Sequence, residues 1–137
     1  MRFAVAAVAL LSLSCGKLNE ITGPVDEPFD DTATFTRVQA EVFTPTCVAF
    51  GCHDAIGQQE GLALTTGLAH AEIVGVPSTQ MSSVKRVAPG DFANSYLFRK
   101  ITGVNITGER MPSGGPYLSN EQTRLVREWI RRGAPND

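Results

Sequence analysis

Apolar positions recur at helical spacing in four stretches of the chain, and none shows the alternation of a half-buried strand. The first stretch is "FTRVQAEVFTPTC". Val38 and Val42 share a face with Phe43 beside them, and Pro45 is predicted to end the helix. Thr36 and Gln39 stand three apart as a capping box, with Phe35 where a hydrophobic staple would lie. A second, short helix is predicted across "GLAHAEIVGV", opened near Thr66 and closed by Gly75. A third falls in "DFANSYLFRKITG", with Asp91 or Asn94 as cap and Gly103 as stop. The last, "SNEQTRLVREWIRRGAP", has the clearest signals. Ser119 and Gln122 make a capping box, Leu125, Val126, Trp129 and Ile130 form one stripe, and Gly133 and Pro135 end it. Its other face, with Arg124, Arg127, Glu128 and Arg131, reads as solvated. Long Gly- and Pro-containing loops separate these helices, so the domain reads as all-α and loop-rich.

Composition bounds this picture. The 137 residues are 42% hydrophobic and 19% charged, which suits one globular domain. A net charge of -2 is too small to imply nucleic acid as a partner, or a membrane surface bound through charge. The N-terminus, "MRFAVAAVALLSLSCG", is one Arg, an apolar run to Leu13, small residues and Cys15. Residues 1–14 therefore read as a secretory signal peptide, too short to span a bilayer. Its end resembles a bacterial lipoprotein processing box, although Ser12 stands where that box prefers an aliphatic residue. The resemblance implies that Cys15 becomes the lipidated first residue. Gly16 carries no inner-membrane retention signal, which favours an outer-membrane anchor facing the periplasm. The alternative is plain export with later cleavage. Residues 15–34 then form a lipid-anchored acidic linker, and residues 35–137 form the domain.

Export changes the meaning of the cysteines, because disulfides persist outside the cytosol. With Cys15 assigned to the anchor, Cys47 and Cys52 remain, and His53 follows directly in "CVAFGCH". Three readings are open. A Cys pair ending in Cys-His is the attachment signature of c-type haem, here with four spacer residues that must loop outwards, helped by Gly51. A Cys47–Cys52 disulfide with an incidental His53 is the second. Zinc is the third, with three ligands and no obvious fourth. A loop-rich domain of this size buries little apolar surface against its ordering entropy, and a short disulfide loop would add little. A large apolar cofactor accounts for the composition better. If haem is present, Met111 in "GERMPSGGP" is the leading second axial ligand, with Met81 and His70 as competitors. Met81 and His70 each read more simply as surface residues.

The segments "VFTPTCVAFGCH", "GLAL", "RVAPGDFANSYLFRKI", "RMPSGGPYLS" and "VREWIRRGAP", in this order, resemble the small single-haem cytochrome c domains of bacterial exported proteins. That family includes a variant with four residues between the cysteines. The resemblance implies a class I cytochrome c-like fold with about four short helices around one covalent haem c. It implies thioethers at Cys47 and Cys52, proximal His53 and distal Met111. It also implies that the first and last helices pack together beside the haem, with Tyr96 and Trp129 around the ring. Arg86 in "KRVAPGD" is a candidate partner for a haem propionate, since a guanidinium fork suits a carboxylate. The function expected is electron transfer between redox donor and acceptor proteins of the cell envelope. Two alternatives remain: a haem peroxidase or sensor if Met111 does not ligate, and a haem-free, disulfide-stapled interaction module.

Overall fold

The computed structural model describes residues 30–137; the signal segment, Cys15 and most of the acidic linker lie outside the described residues. The chain from Phe35 to Thr46 winds as one right-handed rod in three registers: α1 (Phe35–Val38), a π turn (Gln39–Phe43) and α2 (Thr44–Thr46). A 3₁₀ turn (Gln59–Gly61), α3 (Ala69–Ile73), α4 (Tyr96–Thr102) and α5 (Asn120–Arg131) follow. Among the described residues the extended segments make only isolated bridges, such as Val74 with Val87 and Lys85 with Ser95. The domain is helical, and no described helix is long and apolar enough to cross a membrane.

α5 packs against both α1 and α4, and the core lies between them. Trp129 is fully buried, 5.3 Å from the Phe35 ring, and its Nε1 donates to Pro135 O at 2.9 Å. Val38, Val42, Phe43, Ile73, Val87, Ile101 and Ile130 complete the centre. The capping box of α5 forms in both directions, and Gly103 closes α4 in the left-handed region.

Several expectations change at the first helix. Its cap is Thr34, whose hydroxyl accepts from Arg37 N, so the Thr36–Gln39 box does not form. Thr36 instead donates its hydroxyl and its N–H to Asp137 O, while Phe35 N donates to Asp137 Oδ1. A residue a hundred positions away thus takes the exposed donors of the first turn, leaving the Gln39 amide free to turn inwards. Pro45 does not stop the helix. The preceding π turn sends Thr44 N–H back to Gln39 O, and the ladder resumes at Cys47 N with Phe43 O, around the residue that has no N–H. Residues 30–34, read as the end of the linker, pack onto the domain: Ala33 is fully buried and its carbonyl accepts from Arg132.

Other elements shift by a few residues. α3 begins at Ala69 rather than near Thr66, and α4 begins after Ser95. Asp91 caps the turn before α4 instead, accepting from Asn94 N. Glu128 is not on a solvated face. It is 3% exposed, and its carboxylate is held by Arg127 Nε at 2.9 Å and Arg131 Nη1 at 2.7 Å.

Candidate cofactor site

The rod from Phe35 to Thr46 delivers Cys47 to the floor of a cavity, and the chain then folds back on itself. Cys52 N donates to Ala49 O and His53 N donates to Cys47 O, so the four-residue spacer bulges outwards while its ends are tied together. Gly51 turns the bulge with a φ of 79°, and Phe50 at its tip is 90% exposed. Asp54 braces the loop from below, accepting from Gly51 N, Ile56 N and Gly57 N. Gly57 sits so close that a Cβ there would lie 2.6 Å from the Gly51 carbonyl carbon. Cys47 is half-buried and Cys52 exposed, with both thiols free. Burial pushes the Cys47 thiol upwards in pKa.

His53 is half-buried, and its Nδ1 lies 3.2 Å from Leu62 O. A carbonyl can only accept, so Nδ1 carries the proton and Nε2 keeps its lone pair. Burial, with smaller contributions from Arg86 and Lys100, outweighs the hydrogen bonds to the backbone and holds the imidazole below its ordinary pKa. The histidine is therefore held neutral with Nδ1 oriented by the Leu62 carbonyl, as metal-bound imidazoles often are.

Cys47, His53 and Met111 all line one cavity of about 80 Å³. Leu62, Leu64, Ile73, Leu97 and Ile101 give it apolar walls. Met111 is half-buried and anchored by its backbone, donating its N–H to Lys100 O at 2.9 Å. The loop is held a second time by Arg110, whose Nε donates to Ile101 O and whose guanidinium lies 4.1 Å from the centre of the Tyr117 ring.

Arg86 also lines the cavity, buried, but its fork faces the chain. Nη1 meets Glu72 O and Oε2, and Nη2 meets Glu60 O and Gly61 O, which ties the 3₁₀ turn to α3 across the mouth. Among the described residues its Nε is left without a protein partner. The two competing ligands lie elsewhere. His70 is half-buried, bonded through Nε2 to Ala134 O and packed edge-on to Phe35 and Trp129. Met81, also half-buried, receives Arg99 Nη1 at 3.9 Å on its sulfur. Neither lines the cavity that His53 shares. Tyr96 does line it, whereas Trp129 packs behind α1.

Sequence reasoning missed three contributors: Asp54, Lys100 and Gln80. Asp54 had a signal, an Asx turn written as Asp followed by Gly three residues on in "HDAIGQ". Lys100 and Gln80 had none, since a lysine on a short helix and a glutamine in a polar loop both read as solvated.

Among the described residues no cluster of three or more His, Cys, Asp and Glu is arranged to hold a bare metal ion. Of the four residues a covalent haem would need, Cys47, His53 and Met111 line the cavity, while Cys52 stands exposed outside its lining. No family model, curated protein or solved structure matches the chain.

Proposed function

We propose that the domain is a class I cytochrome c-like electron carrier. It binds one haem covalently through Cys47 and Cys52, with His53 Nε2 and Met111 Sδ as axial ligands. Lipidation at Cys15 and the acidic linker hold it at the periplasmic face of the outer membrane, within reach of donor and acceptor proteins of the envelope. The observation that carries this reading is the neutral, oriented His53, which shares one apolar-walled cavity with Cys47 and Met111.

Haem supplies one-electron chemistry between ferric and ferrous states, and a thioether opposite an imidazole favours the ferrous state and a high potential. The chain does the rest. The Leu62 carbonyl fixes the imidazole, the Lys100 carbonyl fixes the Met111 backbone, and Leu62, Leu64, Ile73, Leu97 and Ile101 give the ring apolar surroundings. If His53 and Met111 both hold the group, no position would remain for a substrate, which separates a carrier from a peroxidase.

The test is export of the chain, without its signal and with Cys15 replaced, in a host that attaches haem. A haem-stained band on a denaturing gel, a sharp reduced α-band and a weak sulfur-to-iron band in the oxidised spectrum are expected. A colourless product with no titratable thiols would refute the proposal and leave the disulfide-stapled module in its place.

A further inference from the structure

Two of the polar side chains that line the cavity, Lys100 and Gln80, have donor hydrogens to spare. Lys100, on α4, is 7% exposed and lines the cavity, yet among the described residues it has no carboxylate within ion-pair distance. Its Nζ donates to Thr107 O at 3.0 Å and stands 6.0 Å from the Tyr96 ring centre, which leaves two ammonium hydrogens unmatched. A buried ammonium without an anion is costly, so its retention points to an anion that arrives from outside the chain.

Gln80 completes the corner. Its Oε1 accepts from Tyr96 Oη at 3.1 Å, and Tyr96 Oη in turn accepts from Thr107 N at 3.0 Å. This relay fixes the amide, so Gln80 Nε2 is the group left over. A Cβ at Gly108 would lie 3.9 Å from both Lys100 Nζ and Gln80 Nε2, so the two donors share a neighbourhood beside Gly108.

We propose that Lys100 and Gln80 form a carboxylate-binding corner that takes one propionate of the tetrapyrrole. The inference rests on the haem reading above and deepens it. A carboxylate is acceptor-only and can receive from two donors at once, and bonds from a cation are the stronger kind. The apolar walls accommodate the ring while this corner receives its charged edge. Arg86 is the less available cation, because both of its Nη groups are bonded to the chain.

The experiment compares the haem-loaded protein with K100Q, K100R and Q80A. Haem stain and absorption spectrum establish loading and axial ligation, redox titration gives the midpoint potential, and resonance Raman gives the propionate bending band. K100Q is expected to keep its haem and its His/Met spectrum. Its potential should fall, because removal of a nearby positive charge favours the ferric state. Its propionate band should shift, K100R should restore both, and Q80A should move both in the same direction by less. An unchanged band and potential in loaded K100Q would overturn the corner while leaving the haem reading intact. If K100Q fails to load, Q80A decides by the same two readouts. A colourless parent protein sinks the haem reading itself, and this inference with it.

Discussion

Replacing Trp129 with alanine tests the claim that α5 holds the first helix, and through it Cys47, in place. The indole is fully buried, lies 5.3 Å from Phe35 and 6.2 Å from His70, and donates to Pro135 O. Trp-to-Ala changes in cores cost about 3–5 kcal/mol through lost transfer energy and the cavity left behind. An orphaned Pro135 carbonyl adds about 1 kcal/mol. The sum, roughly 4–6 kcal/mol, is of the order of the whole stability of a small domain, about 5–15 kcal/mol. Trp129→Phe keeps an aromatic ring against Phe35 and loses chiefly the donor, for about 1–2 kcal/mol. Urea unfolding followed by circular dichroism at 222 nm separates the cases. With a slope of roughly 2 kcal/mol per molar for a small domain, the alanine variant loses about 2 M of midpoint or more, and the phenylalanine variant under 1 M. Equal midpoints for the two variants would refute the assignment of Trp129 as the packing link between α5 and the helix leading to the cysteines.

Gly103→Ala should destabilise by about 1 kcal/mol or more, since φ is 80° there and the new Cβ would sit 3.1 Å from Arg110 Cδ; thermal melting measures it. In protein made without haem, a maleimide should label exposed Cys52 several-fold faster than Cys47, whose thiol is buried and pushed up in pKa; peptide mass mapping reads the ratio. The hydrogen bond from the Asn94 side chain, first among its causes, holds the Asp91 carboxyl below its ordinary 3.8, so its stabilising contribution is present above that value and disappears as pH falls through the lower folded value. The midpoint gap between the parent and Asp91→Asn should therefore narrow from pH 6 to pH 3. In haem-loaded protein, Met111→Ala should lose the sulfur-to-iron band and bind cyanide at least tenfold more tightly than the parent, and an unchanged affinity would exclude Met111 as ligand.

What the sequence made legible was local. The α5 box is written in four consecutive residues, Ser119 to Gln122, and the Gly103 stop is a single residue, so both could be read without knowing what lies opposite. The first helix could not, because its turn is capped from Asp137 and its stripe is shifted by a π turn, and neither leaves a periodic trace. Glu128 shows the same limit. Its place between two arginines looks like an exposed charge run until α5 packs and buries one carboxylate. At the site, Cys47, Cys52, His53 and Met111 stood out as residue types. The groups that orient or complement them are backbone carbonyls and one buried lysine, and composition cannot locate these.

The site divides its work between main chain and side chain. The positions of His53 and Met111 are set with backbone atoms: Leu62 O on His53 Nδ1, Leu64 N on His53 O, and Lys100 O on Met111 N. The two backbone–backbone bonds do not depend on which side chains stand nearby, so they fix geometry without constraining charge. The charged groups at the cavity, Arg86 and Lys100, sit on separate segments and do different jobs. Both Nη groups of Arg86 are taken by Glu72, Glu60 and Gly61, and the residue ties the mouth together. Lys100 is buried, and among the described residues no carboxylate pairs with it. It touches the site twice, through its carbonyl to the Met111 backbone and through its ammonium to the cavity, so one residue of α4 joins the distal loop to the charged corner. Changes to that side chain should act on the potential through charge while the Met111 loop keeps its anchor. On the haem proposal, then, the groups that would tune the centre are separable from the groups that build its site.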